Sequence, residues 1–189
     1  ILQTDQQTLN PLSPSAPSAL APALNSILNV SNSDILLRGL NELLGGASSY
    51  AVTGSAALAI HAQTLNVEFT RQPADLDIIL ECHAMECLSR RTPRDLAQFN
   101  MECKPGNNTH LMWNASDDRS IKVDVISCSS RTAGSGLQSS VTIDGQRVVA
   151  VAELHQNLLN RLDRTPTLVK PRQDVEFIDQ HHLLNSAPL

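Results

Sequence analysis

Apolar residues along this chain fall into short runs whose spacing alternates between helical and extended. From Ser33, the string Ser-Asp-Ile-Leu-Leu-Arg-Gly-Leu-Asn-Glu-Leu-Leu-Gly-Gly46 repeats apolar positions at helical spacing and closes on a glycine pair, which predicts a helix with a glycine C-cap. Tyr50-Ala-Val-Thr53 reads as a short buried strand, followed by Gly54-Ser55 and the strongly helical Ala56-Ala-Leu-Ala-Ile-His-Ala62. In Asp75-Leu-Asp-Ile-Ile-Leu80 the alternation puts Asp75 and Asp77 on one face of a strand and Leu76, Ile78 and Leu80 on the other. His83 to Gln98 carries an interrupted helical pattern that Pro93 splits or starts, and a Lys-Pro-Gly-Asn-Asn loop follows at Lys104. His110-Leu-Met-Trp-Asn114 and Ile121-Lys-Val-Asp-Val-Ile126 read as strands, the second with Asp124 on one face and Val123 and Val125 on the other. Residues 129–140 are rich in Ser and Gly and read as a loop. Val141 to Val149 is a hairpin turning at Asp144-Gly145. Two amphipathic helices, Val151 to Leu162 and about Arg172 to Leu184, flank a loop from Pro166 to Pro171.

This order of elements predicts a mixed α/β (α+β) fold, a sheet flanked by helices and leading into a helical C-terminal part. Residues 1–32, broken by Pro11, Pro14, Pro17 and Pro22, are expected to be a flexible or helical N-terminal arm. Residues 33–150 form the core, and 151–189 supply C-terminal helices that complete the same domain.

Composition narrows the function classes. A chain of 189 residues suffices for one domain that buries about two-thirds of its unfolded surface. With 3% aromatic residues its packing is aliphatic, which argues against base-stacking on an aromatic sheet face. A formal charge of −5 and a pI near 5.6 argue against a broad nucleic-acid surface. No apolar run reaches the ~18 residues of a membrane span, and no signal-peptide pattern is visible. The start Ile1-Leu-Gln, without Met, is expected of a processed or trimmed product. The compartment stays open, with the cytoplasm favoured. Cys82, Cys87, Cys103 and Cys128 include no C-x-x-C pair, which fits free buried thiols better than zinc. Sequons at Asn29, Asn107 and Asn114 matter only in a secretory compartment.

The acidic pair carries the chemistry. Two strand positions on one face set the carboxylates roughly 7 Å apart, where they repel unless a cation lies between them; a strand that ends in a solvated acidic turn is the alternative. Asp124, amid Ile121, Val123, Val125 and Ile126, needs a partner as well, since an unpaired buried carboxylate costs several kcal/mol. Gly54 and Ser55 stand where a strand turns into a helix, and a helix N-terminus offers unpaired N–H groups and positive potential to a phosphate. Many such turns use Gly-Ser for steric reasons alone. Arg90, Arg91 and Arg94 read as a solvated helix face or as a contact for an acidic substrate.

Taken together, Thr53-Gly-Ser-Ala-Ala-Leu-Ala-Ile-His-Ala62, then Arg71-x-x-x-Asp-Leu-Asp77, then Ile121-Lys-Val-Asp-Val-Ile126 resemble the nucleotidyltransferase superfamily, the polymerase-beta-like fold with its hG[GS]…DxD…D pattern. The resemblance is greatest to the AbiEii-like toxin and antibiotic-modifying branch, whose C-terminal helices carry Lys-Leu-x-Ala-x-x-x-Arg and Lys/Arg-x-x-Asp-x-x-Asp. Asn157-Leu-Leu-Asn-Arg-Leu-Asp-Arg164 and Arg172-Gln-Asp174 fall in register with these motifs. The resemblance implies a Mg2+-dependent transferase with a two-metal site held by Asp75, Asp77 and Asp124. It implies that Asp124 activates a hydroxyl acceptor, and that Gly54, Ser55, Lys170, Arg172 and Asp174 bind a nucleoside triphosphate co-substrate. The acceptor is a small molecule, a protein or tRNA, and no membrane is involved. Arg71 and Arg164 are expected to hold the site together through carboxylate pairs. Asp174 positions substrate or caps the last helix.

The chain departs from the branch at three places. Asn157 stands at a usual Lys, Phe177 at a common Asp, and Pro73 at a frequent Thr. The first two departures give substance to an alternative, a catalytically inactive nucleotidyltransferase-like binding or regulatory module.

Overall fold

The computed structural model describes residues 20–104, 110–115, 118–129 and 131–185. Most of the expected N-terminal arm, residues 105–109 with the expected loop's sequon at Asn107, and residues 116–117 of the link between the next two strands lie outside them, whereas Lys104, expected to open that loop, ends a strand. The described chain folds as a mixed seven-stranded sheet flanked by helices, the α+β layout that the alternation of patterns predicts.

Chain order runs through α1 (Ala21–Leu28), α2 (Ser33–Leu44), β1 (Tyr50–Thr53), α3 (Gly54–Thr64), β2 (Asp75–Leu80), α4 (Cys82–Ser89), α5 (Pro93–Ala97) and β3 (Met101–Lys104). It continues with β4 (His110–Asn114), β5 (Ser120–Ser127), α6 (Arg131–Gln138), β6 (Ser140–Ile143), β7 (Gln146–Val149), α7 (Val151–Arg164) and α8 (Val169–Gln180). The sheet order is β3-β4-β5-β2-β1-β7-β6. At its centre β2 pairs antiparallel with β1 and parallel with β5.

Local chemistry accounts for the element ends. Gly45 terminates α2 in the left-handed conformation, donating its N–H to Asn41. Pro93 opens α5 behind a reciprocal capping box between Thr92 and Asp95. Asp144 and Gly145 both take positive φ, 48° and 80°, as a two-residue hairpin turn of type I′ requires. Leu20, Leu24, Ile27 and Leu28 of the N-terminal segment are buried in the main core beside Leu36, Leu40 and Leu44 of α2, so α1 is part of the body of the fold.

Three elements differ from the sequence pattern. The last helix, α8, starts at Val169 inside the expected Pro166–Pro171 loop and ends at Gln180, so Asp174 lies within it and does not cap it. The Ser/Gly-rich stretch contains a helix, α6, in spite of Gly134 and Gly136. Its glycines allow close approach: a Cβ on Gly136 would lie 2.8 Å from Ile79 Cδ1, while Ala133 and Leu137 are buried beside it. Packing on the sheet thus overrides poor helix propensity. The edge strand β3 buries only Met101 and pairs antiparallel with β4. Among the described residues no helix is long and apolar enough to cross a membrane.

Candidate active site

Strand register assembles the acids. Asp77 faces Asp124 across the parallel β2–β5 pair, and Asp75 faces Lys122. Paired residues on adjacent strands point the same way, so Asp75, Asp77 and Asp124 share one face, while Leu76, Ile78 and Leu80 on the other are each 0% exposed. One carboxylate oxygen from each of the three lies within 4.8 Å of the others. Asp77 is raised to a pKa of about 6, first by burial and then by the charges of Asp75 and Asp124, against the opposing pull of Lys122 and Arg161. Lys122 Nζ lies 2.6 Å from Asp124 Oδ2, and this bond holds the ammonium above its ordinary pKa.

The same register sets the helix beside the acids. Thr53 pairs with Asp77, so β1 ends next to that carboxylate and α3 begins there. Gly54 takes φ +64°, and a Cβ at this position would collide with Asp77 Oδ2. Only glycine satisfies both demands. Thr53 gives α3 no side-chain cap, and its first turn carries no acid, which leaves the N-terminal amides and Ser55 for an anion.

These groups open on a cleft of about 420 Å³. Thr53, Gly54, Ser55, Asp75 and Asp77 form one side, and Asn157, Arg161, Lys170 and Asp174 from α7 and α8 another. Ile79, Ile126, Ala133, Leu154 and Leu158 give it an apolar end. Asp124 is not among the lining residues, although it stands next to Asp77.

The C-terminal residues divide by helix phase. Lys170 and Asp174 are four positions apart on α8 and both reach the cleft; Arg172, two positions from either, does not share that face. Its guanidinium donates instead to Pro166 O at 2.7 Å, so the expected role of Arg172 in nucleotide binding is not what this geometry offers. Asp174 is 6% exposed and accepts two hydrogen bonds from Arg71 Nη2, at 2.6 and 2.8 Å. Arg71 therefore fastens α8 to the segment before β2, whereas Arg164, at the exposed end of α7, does not line the cleft. Asn157 donates to Glu153 Oε1 at 3.3 Å, and Phe177 is buried edge-on against Phe69, ring centroids 5.0 Å apart. Arg161 is the residue that the motif reading passed over. The signal was its place four residues beyond Asn157, on the same face of an amphipathic helix.

A crystal structure of an antigenic nucleotidyltransferase-like protein from Paracoccidioides brasiliensis matches this chain with a TM-score of 0.53, covering 84% of this chain and 80% of that one at 16% sequence identity. The fold is nucleotidyltransferase-like. No protein-family model matches the chain, and no curated protein matches it in sequence. Within the nucleotidyltransferase-like frame, three clustered carboxylates form a hard, oxygen-only donor set of the kind that suits a divalent cation such as Mg2+. Burial first, and the charges of Asp75 and Asp124 second, raise the pKa of Asp77, and a cation held there would favour its ionised form.

Proposed function

We propose that this chain is a Mg2+-dependent nucleotidyltransferase that moves a nucleoside monophosphate from a nucleoside triphosphate to a hydroxyl acceptor and releases pyrophosphate. The observation that carries this reading is the convergence of Asp75, Asp77 and Asp124 within 4.8 Å beside an uncapped helix N-terminus. The three carboxylates would hold one or two cations. When bound, the metal neutralises phosphate charge and lowers the pKa of the attacking hydroxyl.

The protein's own groups complete the task. The first-turn amides of α3 and the Ser55 hydroxyl grip the terminal phosphates, and Gly54 lets them come close. Arg161 and Lys170 supply the positive charge that Asn157 does not. Lys122 engages Asp124 Oδ2, which leaves Oδ1 to accept the proton of the acceptor hydroxyl. Ile79, Ile126, Leu154 and Leu158 offer the nucleotide an apolar stretch of the cleft to pack against. The acceptor, on this reading, is a small molecule, a protein side chain or tRNA. The C-terminal stretch Asn157 to Asp174 supports kinship with the toxin and antibiotic-modifying branch.

Calorimetric titration with Mg2+ and each nucleoside triphosphate, run on the parent and on Asp75→Asn/Asp77→Asn, tests the proposal. Saturable, Mg2+-dependent binding is expected in the parent alone. Equal behaviour of the two proteins sinks it.

The ion pair between Lys122 and Asp124, with a neutral Asn157 in the cleft, favours a second reading, an inactive binding module. Mg2+-dependent nucleotide binding without pyrophosphate release, across acceptors drawn from cell extract, decides for that one.

A further inference from the structure

Away from the cleft, the far ends of β2 and β5 bring two thiols together. The last paired residues of these strands are Leu80 and Ser127, and Cys128 then donates its backbone N–H to Leu80 O at 3.1 Å. Cys82 opens α4 one residue beyond Glu81, and its Sγ lies 2.9 Å from Cys128 Sγ. Cys82 is exposed and Cys128 half-buried, so the cysteines are not the buried set that composition suggested, and a small reagent reaches the pair.

We propose that Cys82 and Cys128 form a dithiol–disulfide site, oxidised by exchange with a low-molecular-weight disulfide. The exposed Cys82 thiolate attacks one sulfur of that reagent and expels a first small thiol, which leaves a mixed disulfide on Cys82. Cys128 then attacks Cys82 Sγ and expels the second small thiol. The two protein sulfurs lose two electrons, the reagent's sulfur–sulfur bond gains them, and the two thiol protons leave on the two released thiols. The bond closes a separation of 46 residues and ties the start of α4 to the turn that leads into α6. Gly134 of α6 sits against this turn, where a Cβ would lie 3.3 Å from Cys128 O. The site stands independently of the nucleotide chemistry.

The test equilibrates the full chain with mixtures of reduced and oxidised glutathione. Intact mass is expected to fall by two hydrogens, peptide mapping to join Cys82 to Cys128, and alkylation to mark only Cys87 and Cys103. The unfolding midpoint should rise by about 5–10 °C and return on reduction. In Cys128→Ser the glutathione adduct is trapped on Cys82. If that variant fails to fold, the mass and map of the parent decide alone. Four alkylatable thiols under oxidising conditions, a persistent glutathione adduct on the parent, or a link through Cys87 or Cys103 overturns the proposal.

Discussion

Between Thr53 on β1 and Asp124 on β5, the Asp77 carboxylate occupies a place where burial and two negative neighbours oppose its ionisation, and its pKa moves from 3.8 to about 6. A carboxyl whose folded pKa is raised binds more protons in the native state than in the unfolded state across that interval. Its stabilising contribution is complete below the unfolded pKa and is lost as pH rises through about 6. Metal-free protein is therefore expected to lose about 2–3 kcal/mol between pH 4 and pH 7 from this group, and Asp77→Asn to lack the loss. Urea unfolding of both across that range checks it; parallel curves would contradict the assignment. Mg2+ at pH 7 should restore the parent and leave Asp77→Asn unmoved. Gly54 sharpens the same point. Alanine there must hold φ +64° and displace the Asp77 carboxylate, so Gly54→Ala should cost about 1–3 kcal/mol of stability and about tenfold or more in Mg2+ affinity by calorimetry.

Elements are joined by contacts that no sequence pattern displays. Arg147 on β7 donates to Glu81 Oε1 and to Leu137 O at 2.6 Å each, to Ser48 O at 2.7 Å and to Ser140 Oγ at 2.9 Å. It thereby shares the Leu137 carbonyl at the end of α6 with the Ser140 hydroxyl, which donates to it at 2.7 Å, and pins the hairpin to the end of β2. Arg147→Ala should lower stability by about 2 kcal/mol in urea, and speed amide exchange in α6 ahead of β2. Uniform acceleration through the sheet would show that Arg147 does not act locally. Such contacts mark the limit of what the sequence discloses. The strands through Ile78 and Val123 are legible because apolar positions alternate, the one through Val52 because it is a short apolar run, and the Asp144-Gly145 turn because its residues tolerate positive φ. Asp75, Asp77 and Asp124 are legible as a set of types and spacings. Their approach to 4.8 Å is not, because it depends on the parallel register of β2 and β5. α6 hides because two glycines weaken its local preference while the gain lies in contact with Ile79. β3 hides because Met101 alone is buried. The contrast between Arg161 and Arg172 follows from helix phase, which shifts with the error of about three residues between the expected start near Arg172 and the observed start at Val169.

At the scale of the molecule, the acids sit on the sheet and most of the cleft's positive charge on the two C-terminal helices, so the proposed nucleotide binding would depend on how these bodies are fastened. The fastening is Arg71. Its guanidinium grips the buried Asp174 carboxylate of α8 and lies 5.8 Å from the centre of the Phe69 ring, which in turn packs edge-on against Phe177. Arg71→Ala leaves a buried carboxylate without its partner, a loss of about 3 kcal/mol or more, and Arg71→Ala/Asp174→Leu should recover part of it because the stranded charge is gone. The two parts of the site then separate in calorimetry. On the proposed reading Mg2+ alone would meet Asp75, Asp77 and Asp124, whose places depend on β2 and β5, so its affinity in Arg71→Ala is expected to match the parent. The proposed nucleotide would also meet Arg71 itself, Lys170 on α8 and Arg161 on α7, so its Mg2+-dependent affinity should fall about tenfold or more in the single variant. An equal loss for metal alone would show that the clasp supports the acids directly, and that the division between a sheet that holds metal and helices that hold phosphate is wrong.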